Sequence, residues 1–209
     1  MLSVLFGEQD TIFKNILEFY VPAPAKILDL TWGAGKLWQS VDERMSRYDI
    51  IKLDVNKLET RPSIYCDIRN LPLAGTFKGI IYDPPYKYDA RSFTFLSRPD
   101  YDWKPSKSLW TLQAQINTAK SLNEQLPFLM DEDSRLIIKI MDTRVKGRMI
   151  LNHKMLIDLF TNFELVDLLI YIRLGVGVFR NPRTAQVAHG YYLVFRKKLN
   201  KLLDVYASS

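Results

Sequence analysis

With 209 residues and 47% hydrophobic content, the chain is long enough to bury one sizeable core and too apolar to be a disordered polypeptide. A net charge of +6 and a pI near 9.3 favour a polyanionic partner. The single cysteine, Cys66, excludes an internal disulfide and most cysteine-based metal sites, and no apolar run is long enough to span a bilayer.

In chain order, Gln9 to Tyr20 carries Ile12, Phe13, Ile16, Leu17 and Phe19 at helical spacing, which predicts a helix ahead of the first strand. Ala25-Lys26-Ile27-Leu28 reads as a strand, Asp29-Leu30-Thr31-Trp32-Gly33-Ala34-Gly35 as a turn and Lys36 to Val41 as a helix. Further strands are expected at Ile50 to Asp54, Ser63 to Asp67 and Gly79 to Tyr82. Helices are expected at Leu109 to Leu129 and Lys154 to Phe160, and strands at Arg135 to Met141, Glu164 to Tyr171 and Gly190 to Phe195. Short apolar strands alternating with helical stretches form a parallel sheet covered on both faces. The last two strands have no helical pattern between them and should pair antiparallel. No repeat, low-complexity tract or linker divides the chain, so 1–209 reads as a single domain.

Two motifs carry chemistry. The Gly-x-Gly turn at Gly33 and Gly35 permits positive φ and a close approach of ligand to backbone, while the helix start after it offers unpaired N–H groups. It lacks the third glycine of the dinucleotide fingerprint and the Lys-Ser or Lys-Thr of a P-loop. The second motif is Asp83-Pro84-Pro85-Tyr86, directly after the apolar run Gly79 to Tyr82. Its prolines fix φ and remove donors, leaving an acidic side chain, backbone carbonyls and an aromatic face at the end of a buried strand. That set suits gripping a planar ring by its exocyclic amine. Read without its context, it equally suits a Pro-Pro turn that closes a strand.

Together, Asp-x-x-x-Gly-x-Gly followed by Asp-Pro-Pro-Tyr resembles the motif pair of the S-adenosylmethionine-dependent amino-methyltransferases, in particular the DNA adenine-N6 and cytosine-N4 amino-methylases. The resemblance implies an α/β, Rossmann-like class I methyltransferase fold: a mostly parallel seven-stranded sheet with an antiparallel last strand and helices on both faces. It implies S-adenosylmethionine as cofactor, held by Asp29, Thr31, Trp32, Gly33 and Gly35, by Asp54 at the ribose, and by Asp67 and Ile68 beside the adenine. Trp32 departs from the usual Phe, Tyr or small residue, and either lines or narrows the adenosine pocket. Asp83, Pro84, Pro85 and Tyr86 would be the catalytic set. Asp at the first position is more typical of adenine enzymes, so the implied activity is direct methyl transfer to adenine N6 of DNA, on a flipped-out base. An RNA amino-methyltransferase and a non-catalytic nucleic-acid-binding relative are the alternatives. Cys66, in Tyr65-Cys66-Asp67, lacks the Pro-Cys setting of carbon-5 cytosine methylation.

Substrate contact is expected in residues 87–110, where Arg91, Arg98, Lys104 and Lys107 are interleaved with aromatics such as Trp103. The alternative for the same residues is a loop folded onto the core with its charges in solvent. Two more basic stretches, with Arg144 and Lys146 and with Arg180, would add phosphate contacts. His153 and His189 are the only histidines and lack metal-ligand spacing, so no metal is proposed. No charged-then-apolar leader opens the chain, and a soluble cytoplasmic protein with a nucleic-acid partner and no membrane partner is expected.

Overall fold

A computed structural model describes residues 1–41, 47–55, 62–86, 111–145, 147–172 and 187–199. Strands β1 (Val4–Phe6), β2 (Ala25–Asp29), β3 (Tyr48–Asp54), β4 (Ile64–Tyr65), β5 (Gly79–Tyr82), β6 (Arg135–Ile140), β9 (Phe163–Ile172) and β10 (His189–Lys197) form one eight-stranded sheet. Its order is β1-β9-β10-β6-β5-β2-β3-β4, and β7 (Thr143–Val145) pairs with β8 (Arg148–Ile150) as a separate hairpin. Every pairing in the sheet is parallel except those of β10, which runs antiparallel to both β6 and β9. The seven expected strands are therefore present, and β1 is an eighth at the outer edge of β9.

Helix α1 (Gln9–Tyr20) buries Ile12, Phe13, Ile16 and Leu17, the positions its periodicity selects, whereas Phe19 points outward. These side chains pack with Ile27, Ile50, Ile81 and Ile137 on one face of the sheet. Helices α2 (Leu112–Gln125) and α3 (Asn152–Leu159) cover the opposite face, where Ala119, Leu122 and Leu156 meet Leu28, Ile80, Leu136 and Ile138. The alternation Leu136, Ile137, Ile138 between the two cores is the period-2 rule of a strand buried on both sides. Among the described residues no helix is long and apolar enough to cross a membrane.

Three local expectations are corrected. The helix expected over Lys36 to Val41 is, where described, a short 3₁₀ turn, Lys36–Trp38, entered through left-handed Gly35. It is too short to present the row of N–H groups that a helix start would. The long helix expected over Leu109 to Leu129 is α2, with Thr111 as N-cap accepting from the Ala114 N–H at 3.1 Å, followed by a 3₁₀ turn at Leu126–Leu129 where Pro127 interrupts α-helical bonding. Finally, the basic stretch around Arg144 is a hairpin turned at Gly147, φ +80°, rather than an open loop.

Candidate active site

Because β2, β3 and β5 run parallel, their C-terminal ends lie along one edge of the sheet, and each ends at or next to an acid: Asp29, Asp54 and Asp83. Ligands of open α/β sheets bind on that edge. The chain leaving β2 crosses it in contact with both neighbours, the Leu30 N–H donating to Ile81 O at 3.0 Å and the Trp32 N–H to Leu53 O at 2.9 Å.

The glycine turn is shaped from beneath. Asp29 is buried, accepting from the Thr31 N–H at 2.8 Å and from the Trp38 indole N–H at 2.5 Å. Gly33 and Gly35 have φ of +56° and +67°, and the Gly33 N–H donates to Asp54 Oδ2 at 2.9 Å. Trp32 turns inward, packing among the α1-side core residues with its ring beside Trp38 at 6.0 Å and Lys52 Nζ 4.4 Å from a ring centroid. A Cβ on Gly35 would lie 2.9 Å from that indole, so the second glycine is required by the tryptophan beneath it.

Burial pushes the Asp29 carboxyl up to about 7; the hydrogen bonds from Thr31 and Trp38 oppose the rise, and Asp83 and Asp54 add to it. The folded state holds this proton more tightly than the unfolded chain, whose carboxyl titrates near 3.8, so the stabilisation is complete below about pH 4 and is lost as pH rises through about 7. Urea unfolding of wild type and Asp29→Asn across that window should show the wild type losing ground to the variant, on the order of a few kcal/mol in all. A pH-independent difference would contradict it.

Asp83 and Tyr86 follow β5. The Asp83 N–H donates to Thr31 Oγ1 at 2.8 Å, which ties the glycine turn to the Asp-Pro-Pro-Tyr turn. The Asp83 carboxylate receives Lys139 Nζ at 2.9 Å on both oxygens. Pro84 is buried, and among the described residues its carbonyl receives no hydrogen bond. The Pro85 carbonyl accepts from Gln115 Nε2 of α2, and Tyr86 is half-buried with Lys139 Nζ 5.7 Å from its ring centre.

Helix α2 also sets the far end of the site. Its Gln125 accepts from the Leu71 N–H at 2.8 Å and donates to Arg69 O at 3.0 Å, while the Ser121 hydroxyl donates to the same carbonyl at 2.7 Å. These bonds fix the turn that carries Asp67 and Ile68. Asp67 accepts from Arg69 Nε at 2.9 Å, and the Ile68 side chain is buried in the α2-side core. The predicted cofactor residues therefore lie along one edge, with Trp32 and Ile68 directing their side chains into the core.

Arg91, Arg98, Trp103, Lys104, Lys107, Lys146 and Arg180 lie outside the described residues, and Arg144 is exposed on β7. Sequence reasoning missed Lys139 and Gln115. It also missed a polar chain just beyond β6: buried Asp142 lies 2.7 Å from His153 Nδ1, and the Tyr191 hydroxyl lies 3.4 Å from Asp142 and 2.9 Å from His189 Nε2. The His153 ring stacks on Tyr191 at 4.2 Å, and Asp142 also accepts from the first-turn His153 N–H of α3 at 3.3 Å. The two histidines, distant in sequence, thus join one structural network.

No protein-family model and no curated protein matches the sequence. Solved structures do. The chain superposes on TrmN from Thermus thermophilus with a TM-score of 0.58 at 12% identity, covering 90% of this chain and 49% of that one. This chain thus spans about half the length of that protein. The 1,6-didemethyltoxoflavin-N1-methyltransferase of Burkholderia thailandensis, solved with S-adenosylhomocysteine, matches with a TM-score of 0.52 at 15% identity, over 91% of this chain and 79% of that one. The N-methyltransferase NodS from Bradyrhizobium japonicum WM9, also with S-adenosylhomocysteine, gives 0.52 at 11% identity, over 90% and 87%. Parallel strands with a single antiparallel member, two buried faces and this set of neighbours give the chain the Rossmann-like fold of the class I methyltransferases.

Proposed function

We propose that the protein is an S-adenosylmethionine-dependent methyltransferase acting on the exocyclic amine of a nucleic-acid base, adenine N6 of DNA before others. The observation that carries this reading is the Thr31–Asp83 hydrogen bond, which holds the glycine turn against the Asp-Pro-Pro-Tyr turn. A cofactor site and an amine-gripping site then share one edge of the sheet. The net charge of +6 suits a nucleic-acid substrate. Two neighbours bearing S-adenosylhomocysteine in their structures are named as N-methyltransferases, which supports nitrogen as the acceptor atom.

The residues present fit the cofactor: left-handed glycines allow close approach to the backbone, and Asp54 stands at the end of β3, where a ribose would be met. When bound, S-adenosylmethionine supplies a methyl carbon made electrophilic by its sulfonium. The protein's own part is alignment. An exocyclic amine is a poor nucleophile because its lone pair is conjugated into the ring. Asp83 accepts one amine hydrogen and the Pro84 carbonyl the other, which favours a pyramidal nitrogen and frees that lone pair. Each Asp83 oxygen keeps a lone-pair position beyond the one given to Lys139. Tyr86 stacks on the base, which must first leave a duplex at a cost of about a few kcal/mol.

The test is transfer of labelled methyl to unmethylated duplex DNA, single-stranded DNA and total RNA in parallel, with nucleoside mass analysis. N6-methyladenine in DNA is expected. Label in RNA alone would move the substrate to RNA, and cofactor binding without label in any arm would remove nucleic acid from the proposal. Within the active arm, Tyr86→Ala should weaken substrate capture by about 1–3 kcal/mol, read as a raised KM. An unchanged KM would take the stacking role from Tyr86.

A further inference from the structure

Lys139 sits inside β6 between Ile138 and Ile140, only 3% exposed, with its side chain on the α1 face of the sheet opposite Tyr192 of β10. A buried ammonium is costly unless paired, and replacing such a pair by well-packed apolar residues is often neutral or stabilising. Stability alone therefore gives no reason for a lysine in this strand. Its location does. Lys139 Nζ reaches both oxygens of Asp83 at 2.9 Å, while the backbone of Asp83 is held separately by Thr31. Asp83 is thus fixed from two strands, its backbone by the loop after β2 and its carboxylate by the ammonium from β6.

We propose that Lys139 is a positioning residue for methyl transfer, clamping the Asp83 carboxylate in one rotamer with its remaining lone pairs facing the target amine. The inference rests on the reading of Asp83 as the amine-binding group. Buried as it is, Lys139 does not touch substrate; it acts through Asp83. Burial works against its charge, but the Asp83 carboxylate beside it more than offsets this and holds the ammonium above its usual range. Tyr86, Tyr171, Tyr192 of β10 (paired with Lys139 across the strands), Asp10 of α1 and Asp29 of β2 are the other titratable groups that share this field. Tyr171 reaches this region because its ring lies across Gly190, where a Cβ would be 2.4 Å from it.

The experiment compares Lys139→Met, Lys139→Arg, Asp83→Ala and the double variant Lys139→Met/Asp83→Ala. Lys139→Met should lower kcat by about 100-fold, the cost of a misplaced catalytic group, with cofactor affinity held within about threefold. Its acid limb of kcat should move to higher pH, whereas Lys139→Arg, which keeps a paired cation, should recover part of the rate. A purely structural lysine would shift neither the pH limb nor the kcat of the folded fraction. Wild-type kcat and pH profile in folded Lys139→Met would overturn the proposal. If the wild type methylates no substrate, the proposed function fails by itself, and the pair is read from unfolding. The four-corner cycle should then show coupling of about tenfold or more in the unfolding constant. Coupling below about twofold would overturn the clamp whatever the activity.

Discussion

Asp83→Ala is expected to remove methyl transfer and, at the same time, about 3–5 kcal/mol of stability, because it strands the buried Lys139 ammonium without its partner. The two losses have different origins. Asp83→Asn separates them: its amide oxygen still accepts from Lys139, so the fold should suffer less, while the anionic acceptor offered to the amine is gone. Urea unfolding and labelled methyl transfer on both variants would read the two effects independently. An alanine variant that unfolds at the wild-type urea concentration would mean that the ion pair does not hold this edge of the sheet.

The second large effect is expected at Gly35. An alanine there meets two obstacles, a left-handed φ of +67° and the Trp32 indole 2.9 Å from the new Cβ. Together they should cost about 1–3 kcal/mol and loosen cofactor binding, since Trp32 supports the turn from below. Gly33→Ala is the control: φ is +56° there, but the nearest atom to its Cβ is Thr31 O at 3.8 Å. That variant should carry the backbone penalty alone, about 1 kcal/mol. Thermal unfolding and cofactor titration of both would separate strain from collision, and equal losses would show that Trp32 makes no difference.

The sheet was legible because its central strands are apolar runs bounded by turn residues, as at Ile80 and Ile81 ahead of the two prolines. The antiparallel placement of the last strand was legible from the missing helix before it. Strand β1 was not, for Val4–Phe6 is too short to show a period and is recognised only by its pairing with β9. At the site, the glycine turn and Asp83 announced themselves through local backbone demands. Lys139 and Gln115 make none: their roles depend on which elements fold beside Asp83 and Pro85, a long-range fact. One signal was available, since a lysine inside Leu136-Ile137-Ile138-Lys139-Ile140 must either surface or find a carboxylate. Trp32, read as either lining or narrowing the adenosine pocket, has its ring turned inward beneath Gly35, a contact that no local sequence pattern announces.

Strand β1 bears on colloidal behaviour rather than on chemistry. It covers the outer rim of β9 only at Ile170, Tyr171 and Ile172, leaving the stretch from Phe163 to Leu169 as the sheet's border among the described residues. Such a border is a template for strand addition by another copy. Glu164 and Asp167 stand along it, and each is engaged by a side chain from elsewhere, Arg196 and Tyr20 respectively. Charge guards one half of the rim and β1 caps the other, so detaching this three-residue strand would uncover the more apolar half as a further template for strand addition.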